Sequence, residues 1–340
     1  MARSFDDFEA HPPIHIQNSN QHSPTGLSPN QIKSVYNLPK TGGKGTIAII
    51  GAYNSPTVES DLTVFSKQFG LPTCTRKDGC LEIHLMDSNI KTDSGWAGET
   101  ALDTQWAHAI APKAKILLVE AKSASGASLT AAVDFARNRP DVVSISMSWG
   151  GPEYPTESNY DSHFTSQYGA SFFASSGDNG SGVEWPAVSS NVISVGGTTL
   201  HFNSNSSLAS ETAWNGSGGG VSSFVSEPSY QTDFGILKIH GKRAVPDVSY
   251  NADPASGFSV YQNGWMTVGG TSAGAPQWAA ISSLGGNITN SKLYLDATKK
   301  YSQYFRDVYQ GSNGNCNLFC SAKKRYDMVT GLGSPLTYHF

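Results

Sequence analysis

Short apolar segments alternate along this chain with segments of helical periodicity, and this alternation restricts the fold more than any other feature. An apolar segment flanked by turn residues is typical of a strand buried on both faces, as in parallel sheets. The order therefore predicts an α/β fold of three layers, with a mostly parallel central sheet covered by helices on both faces. The predicted strands are residues 46–50, 81–85, 115–119, 142–147, 171–174 and 192–195, and the predicted helices lie near residues 58–69, 97–110, 129–138 and 273–283.

The first 26 residues differ in composition from the rest of the chain. They are polar, rich in His, Asn, Pro and Ser, and contain no apolar run long enough for a signal peptide or a membrane span. We interpret residues 1–26 as an extended N-terminal arm or a processing remnant. Residues 27–340 are predicted to form one domain, which begins with a capped helix at residues 28–36.

A glycine-rich turn leads into a predicted helix and contains the first candidate catalytic residue. The sequence GGTSAGAP at positions 269–276 places Ser272 at this turn. A serine there has an exposed hydroxyl, and its backbone N–H lies at a helix N-terminus, where negative charge is stabilised. An acyl-transfer nucleophile needs these conditions. A simple helix cap is the alternative, and it is the commoner role of an isolated Ser or Thr at such a position.

Two acidic side chains share one face of a predicted helix. Glu99 and Asp103 are four residues apart in a helix expected to end near Pro112. Like charges at this spacing destabilise an isolated helix. A solvated acidic stripe is the simpler explanation for an arbitrary pair. The aromatic neighbours Trp96 and Trp106 indicate instead a helix buried on several sides, and a buried acid pair is a functional candidate.

A third acid, Asp178, follows the predicted strand at residues 171–174 in a run of small and turn-forming residues. Taken alone, this pattern is typical of an Asx turn. The preceding strand, residues 142–147, also leads into a glycine-containing loop at Gly150. The carboxyl ends of two parallel strands therefore form a crevice, where ligands usually bind in α/β sheets.

In their order along the chain, these motifs resemble those of the sedolisin family, serine-carboxyl peptidases with a subtilisin-like fold. The resemblance extends from about Leu27 to the C-terminus. It implies that Ser272 is the nucleophile, Glu99 its general base, Asp103 the carboxylate that supports Glu99, and Asp178 an acid in the oxyanion hole. The matching stretches are residues 98–112, 144–153, 175–180, 214–230, 246–254, 269–276 and 326–335.

A glutamate base implies operation in acid. A carboxylate with a pKa of about 4 remains a base where an imidazole, with a pKa of about 6.5, is already protonated. Asp178 must carry a proton to donate to an oxyanion, so its ionisation is expected to set the upper pH limit. We expect Glu99 and Asp103 to titrate as a unit, with Asp103 holding the shared proton. An ordinary subtilisin is disfavoured because His108 and His240 lack the context of a catalytic histidine.

The resemblance implies an acid-acting endopeptidase that hydrolyses polypeptides through a serine acyl-enzyme. A tripeptidyl-peptidase of the same family and a catalytically inactive peptide-binding relative are the alternatives. We expect substrate to pair, as an added strand, with the edge formed by Ser148, Trp149 and Gly150. Core packing is an equally good interpretation of Trp149.

A C-terminal loop resembles the calcium site of the family. Carboxylate and carbonyl oxygens are the ligands that Ca²⁺ prefers. The implied ligands of one Ca²⁺ ion are Asp307, Val308, Lys323, Arg325 and Asp327. The family usually has glycine where this chain has Lys323 and Arg325, and these residues add positive charge and resist unusual backbone angles. A metal-free, salt-bridged loop is the alternative.

Composition agrees with these expectations. Charged residues make up only 15% of the chain, which limits self-repulsion in acid. The net charge of -4 provides no basic field for nucleic acid, and we expect no membrane partner and a monomer. Cys74 with Cys80, and Cys316 with Cys320, look like two local disulfides, which favour an oxidising, secreted location.

Overall fold

An eight-stranded sheet forms the middle layer of the computed structural model of the protein, which describes residues 4–236 and 239–340. The α-helices are α1 (Pro29–Val35), α2 (Val58–Phe69), α3 (Ser94–Ile110), α4 (Gly126–Arg137), α5 (Ser229–Phe234), α6 (Gly274–Gly285) and α7 (Asn290–Tyr304). The strands longer than two residues are β1 (His15–Gln21), β2 (Thr46–Ala52), β3 (Leu81–Leu85), β4 (Lys115–Ala121), β5 (Val142–Met147), β6 (Ser171–Ser175), β7 (Ile193–Phe202), β8 (Leu208–Ala213), β9 (Gly220–Ser226), β10 (Lys242–Val245), β11 (Val248–Asn251), β12 (Phe258–Tyr261) and β13 (Trp265–Gly269).

The strand order of the central sheet is β8-β7-β6-β5-β2-β4-β3, and β11 also pairs with β7. Only the pairing of β7 with β8 is antiparallel in this sheet, as far as the structure describes the chain. The prediction of a mostly parallel sheet is confirmed.

Side chains of the central strands alternate between two apolar clusters, one on each face of the sheet. In β2, Ile47 and Ile49 belong to the cluster that includes α2, α3 and α6. Ala48 and Ile50 belong to the cluster that includes α4. Because both faces are covered, these strands are continuous apolar runs in the sequence. The predicted three-layer architecture is confirmed.

Helix α3 begins three residues before its predicted start at residue 97. The side chain of Asp93 accepts hydrogen bonds from the N–H groups of Gly95 and Trp96, which would otherwise lack partners at a helix N-terminus. Ser125 caps α4 in the same way through the N–H of Ser128. The caps therefore set the true helix starts.

The N-terminal arm is extended and crosses the carboxyl edge of the sheet. Strand β1 pairs antiparallel with β13, which leads into the Ser272 turn. Upstream of β1, His11 pairs with Gly150 and Glu9 pairs with Ser125. The arm thus lies over the region where the candidate residues meet.

Both predicted disulfides, Cys74–Cys80 and Cys316–Cys320, are present. Each closes a short surface loop, so its effect on overall stability is modest. Within residues 4–236 and 239–340, the helices are too short or too polar to cross a membrane.

A buried ion pair joins the connection between β10 and β11 to the rest of the domain. Arg243 donates hydrogen bonds to both carboxylate oxygens of Asp247, at 2.9 and 2.6 Å. Asp247 also accepts the N–H of Ser194 in β7 and the hydroxyl of Tyr294 in α7. Both members of the pair are 0% exposed, so each charge depends on the other for compensation.

We expect Arg243→Leu to lower the free energy of unfolding by about 3–5 kcal/mol, because it leaves the Asp247 charge buried without a cation. Arg76→Leu is the matched control. It removes an exposed pair with Glu59, which should contribute less than about 1 kcal/mol. Chemical denaturation of both variants measures the difference, and equal losses would contradict this role of the buried pair.

Candidate active site

The candidate site lies where the loops after β5 and β6 approach the N-terminus of α6. Glu99 and Asp103 project from α3, Asp178 follows β6, and Ser272 precedes α6. Glu99 is close enough to Asp103, Ser272 and Asp178 for each of them to affect its pKa. The structure therefore brings the four predicted catalytic residues together.

Ser272 lies in a single 3-10 turn, Thr271–Ala273, that runs directly into α6. Gly270 precedes this turn with φ +124°, a conformation that favours glycine. The Ser272 side chain is buried, and its Oγ has no hydrogen-bond partner among the described residues. Its place at the N-terminus of α6 and close to Glu99 makes this hydroxyl a candidate for a reactive one.

Glu99 and Asp103 face the same side of α3, and both are buried. Burial raises the pKa of Glu99 well above its usual range, and the negative charge of Asp103 adds to this effect. Burial also raises the pKa of Asp103, and its contacts with Ser148 and Glu99 oppose this rise. The pair therefore keeps at least one proton in acid and shares it as a coupled unit.

Ser148 makes the two members of the pair unequal. Its hydroxyl oxygen lies 2.7 Å from Asp103 Oδ1 and 3.1 Å from the carbonyl oxygen of Ser272. Donation by this hydroxyl stabilises the charged form of Asp103 and opposes the effect of burial on its pKa. Neither oxygen of Glu99 has a partner of good hydrogen-bond geometry within the described residues. The two carboxyl groups thus differ in their hydrogen bonds, and the expectation that Asp103 holds the shared proton stays a prediction.

The two carboxylate oxygens of Asp178 contact different segments of the chain, the Ser272 turn and the N-terminal arm. Oδ1 accepts the N–H and the hydroxyl of Thr271, at 2.8 and 2.7 Å. Oδ2 lies 3.1 Å from Nε2 of His15. Burial raises the pKa of Asp178, whereas contacts with His15 and Thr271 lower it by a smaller amount. A raised pKa is what an acid needs if it is to donate a proton to an oxyanion.

The predicted substrate edge presents its backbone rather than its side chains. Ser148 turns inward to Asp103, and Trp149 donates its indole N–H to the carbonyl of Ile50 in the core. The backbone of Gly150 exchanges hydrogen bonds with His11, at 3.0 and 3.2 Å. This geometry supports backbone pairing at Gly150, and the Trp149 side chain is a core residue.

Three further residues of the site escaped the sequence analysis: His15, Thr271 and Glu184. Burial raises the pKa of Glu184 to about 7, and one of its oxygens lies 3.9 Å from Nε2 of His11. The glycine at position 150 leaves room for this carboxylate, because a Cβ there would come within 2.6 Å of it. Only Thr271 had a local signal, its position next to Ser272.

The five predicted calcium ligands belong to one loop region. Oδ1 of Asp307 accepts the N–H of Arg325 at 2.9 Å, and Oδ2 of Asp327 accepts the N–H of Lys323 at 3.0 Å. Arg325 adopts φ +72°, the conformation that a glycine would take more easily. Two carboxylates and the carbonyls of residues 308, 323 and 325 are oxygen groups of the type that a hard cation binds. The carbonyl of Arg325 accepts the hydroxyl of Tyr301, and that of Val308 accepts the hydroxyl of Thr330.

Comparisons with known proteins show the family of this chain. The subtilase family model matches residues 94–315. Kumamolisin from Bacillus sp. (strain MN-32) is 32% identical over 92% of this chain and 63% of its own length. Sedolisin from Pseudomonas sp. (strain 101) is 28% identical over 91% of this chain and 60% of its own length. The chain thus spans about three fifths of the length of these relatives.

A solved structure of Pseudomonas sedolisin, described as a serine-carboxyl proteinase complexed with two molecules of pseudo-iodotyrostatin, matches with a TM-score of 0.78 at 28% identity. The match covers 92% of this chain and 96% of that chain. Sphericase matches with a TM-score of 0.59 at 18% identity, which supports the fold alone.

Other carboxyl groups outside the acid pair are buried as well. Burial raises the pKa of Glu120 to about 7 and that of Glu157 to about 8. Carboxyl groups with a lowered pKa, such as those of Asp141 and Glu59, lie nearer the surface beside arginines, where solvent weakens their contribution.

We expect the protein to be most stable in acid. Because these buried carboxyl groups bind protons more tightly in the folded protein than in the unfolded chain, the free energy of unfolding falls as pH rises from about 4 towards 8. The expected fall in Tm across this range is at least about 5 °C. Calorimetry at fixed ionic strength measures it, and Glu157→Gln should reduce the slope. A Tm that rises across this range would contradict the expectation.

Proposed function

The chain belongs to the subtilase family and, within it, to the sedolisin type of serine peptidase, and from this premise we propose that it hydrolyses polypeptides in acid. The observation that carries the proposal is a buried Glu99/Asp103 pair close to the buried hydroxyl of Ser272 at the N-terminus of α6. A carboxylate base of this kind works where an imidazole is protonated.

The proposed cycle begins with attack of Ser272 Oγ on the scissile carbonyl carbon. The serine proton passes to Glu99 in the form of the pair that has Glu99 charged and the shared proton on Asp103. The oxyanion accepts hydrogen bonds from the backbone N–H of Ser272 and from protonated Asp178. Glu99 then gives its proton to the leaving amine, and water releases the acyl group by the same steps in reverse.

Two ionisations bound the proposed pH range. Below the first ionisation of the Glu99/Asp103 pair, both carboxyls are protonated and no base is present. Above the pKa of Asp178, the oxyanion loses a donor, and such a loss typically lowers turnover by about 100-fold to 1000-fold. Since burial raises the pKa of Asp178, the upper limit lies above that of an ordinary aspartate.

A subtilisin mechanism with a histidine base is the main rival among enzymes. Buried His108 places its Nε2 2.9 Å from the carbonyl of Pro72, away from the nucleophile. His15 pairs with Asp178. Within the described residues no histidine forms a hydrogen bond with Ser272 Oγ. These contacts favour Glu99 as the base.

A groove lies between the backbones of residues 124–126 and of Gly150, and its length favours an endopeptidase over a tripeptidyl-peptidase. The arm runs from Phe8 past Pro13, and its backbone pairs with Gly150 and with Ala124. An exopeptidase that removes tripeptides must stop the chain three residues before the cut. The groove here holds a longer extended segment, which suits cleavage inside a polypeptide.

Casein cleavage at pH 4 and pH 7.5 tests this function. We expect cleavage at pH 4 only, loss of activity in Ser272→Ala, and a decrease in kcat/KM of at least about 1000-fold in Glu99→Gln. Glu157→Gln, which alters a buried acid outside the site, is the matched control and should keep activity. Cleavage at pH 7.5 alone would support a histidine base, and binding without cleavage at any pH would support an inactive relative.

We also propose that the protein is a secreted monomer that binds one Ca²⁺ ion through Asp307, Val308, Lys323, Arg325 and Asp327. The two disulfides support the oxidising location. The oxygen donors of the C-terminal loop support the ion, which would cross-link the segments at residues 307–308 and 323–327.

Metal analysis of protein dialysed against micromolar Ca²⁺ tests the ion. We expect about one Ca²⁺ per chain, and a lower Tm in a chelator, because the ion binds only the folded loop. Asp327→Asn should abolish binding. Lys323→Gly with Arg325→Gly should tighten it at least about tenfold, since two positive charges are removed. Absence of calcium in both the parent and this double variant would exclude the site.

A further inference from the structure

We propose that Asn313 is a positioning residue for Asp178, and that it acts by holding the loop that contains this acid. The inference rests on the proposed function, in which protonated Asp178 donates to the oxyanion. Residues 177–182 form this loop, termed the Asp178 loop, and Asn313 belongs to the disulfide loop, residues 311–322. The two loops are more than 120 residues apart in the sequence and are in direct contact in the structure.

The Asp178 loop depends on backbone hydrogen bonds for its shape. Its three glycines all have positive φ, with Gly177 at +105°, Gly180 at +72° and Gly182 at +148°. Glycine has no side chain to pack and the greatest backbone freedom of any residue, so this loop keeps one conformation only where partners hold its N–H and C=O groups. The partners of residues 180–182 therefore determine how firmly the acid is positioned.

A second glycine-rich segment, residues 216–219, supplies part of this support. The N–H of Gly180 donates to the carbonyl of Gly216 at 2.9 Å. Gly182 and Gly219 exchange two hydrogen bonds, at 2.9 and 2.8 Å. Because this segment is itself rich in glycine, it can hold the Asp178 loop only if it is held in turn.

Asn313 contacts both of these glycine-rich segments. Its carbonyl accepts the N–H of Ser181 at 2.9 Å, and its Nδ2 donates to the carbonyl of Ser217 at 2.7 Å. The residue is only 4% exposed, so loss of the amide bond would be costly. The approach is close, because a Cβ on Gly180 would come within 2.6 Å of the Asn313 carbonyl oxygen. One side chain thus fixes the loop and the segment that pairs with it.

The disulfide loop holds the backbone of Asn313 in turn. The N–H of Asn313 donates to the carbonyl of Cys320 at 3.0 Å, and the disulfide between Cys316 and Cys320 closes the intervening turn. Sγ of Cys316 lies 3.5 Å from the hydroxyl oxygen of Ser181, so the disulfide also contacts the Asp178 loop. A covalent link therefore supports the contact between Asn313 and Ser181.

Loosening of the Asp178 loop has a definite effect on Asp178. Burial is the largest cause of its raised pKa, and the contacts with His15 and Thr271 lower that pKa by a smaller amount. The other charged groups that face it are Glu184 and Glu99, whose negative charges oppose its ionisation. A looser loop admits water and weakens the effect of burial, so the pKa of Asp178 falls. The oxyanion donor is then lost at a lower pH.

Casein kinetics on the full chain test the effect on the reaction. We expect Asn313→Ala to move the upper limb of the kcat/KM profile to lower pH by about 1 unit. We also expect kcat at pH 4 to fall at least about fivefold, because the acid is less well positioned. Asn203→Ala, which removes an amide contact in an exposed turn, is the matched control and should change neither value. A merely structural role would not move the limb, so an unchanged limb in folded Asn313→Ala would overturn the proposal.

A second variant keeps the test decisive if Asn313→Ala fails to fold. Cys316→Ser with Cys320→Ser leaves Asn313 in place and removes the covalent support of its backbone. The limb should move in the same direction by a smaller amount. An unchanged limb in this double variant as well would overturn the proposal.

Hydrogen exchange tests the contact without catalysis. In the Ser272→Ala background, Asn313→Ala should make amide exchange at residues 180–182 at least about tenfold faster, because their N–H groups lose support. Unchanged exchange there would contradict the role of Asn313. Faster exchange in a protein whose parent cleaves casein at no pH would support the contact while contradicting the peptidase function.

Discussion

Carboxyl groups buried with few compensating cations are the constraint on which this structure depends. At the carboxyl edge of the sheet, Glu99, Asp103, Asp178 and Glu184 lie close together, and burial raises the pKa of each. All four cannot carry a charge at once in so buried a site, so the stable arrangement is partly protonated. Protonation of these groups therefore favours stability in acid, and the proposed base and oxyanion donor would favour acid for the same reason.

The sequence predicted the parts of this arrangement that local patterns encode. The central strands were found because both faces are buried, which leaves continuous apolar runs such as that of residues 46–52. Glu99 and Asp103 were found because a spacing of four places them on one helix face. His15 was not found, because it reaches Asp178 only through the pairing of β1 with β13. Strand β13 lies some 250 residues after β1 in the sequence. No local pattern reports such a contact.

Ser148 shows why the direction of a side chain is harder to predict than the strand that positions it. The apolar run of β5 predicted the strand at residues 142–147 correctly, but the alternation of strand side chains ends where the strand ends. Beyond that point hydrogen-bond partners set the direction of each side chain. The hydroxyl of Ser148 contacts Asp103, and the indole of Trp149 lies in the core. A residue expected to contact substrate thereby tunes the acid pair.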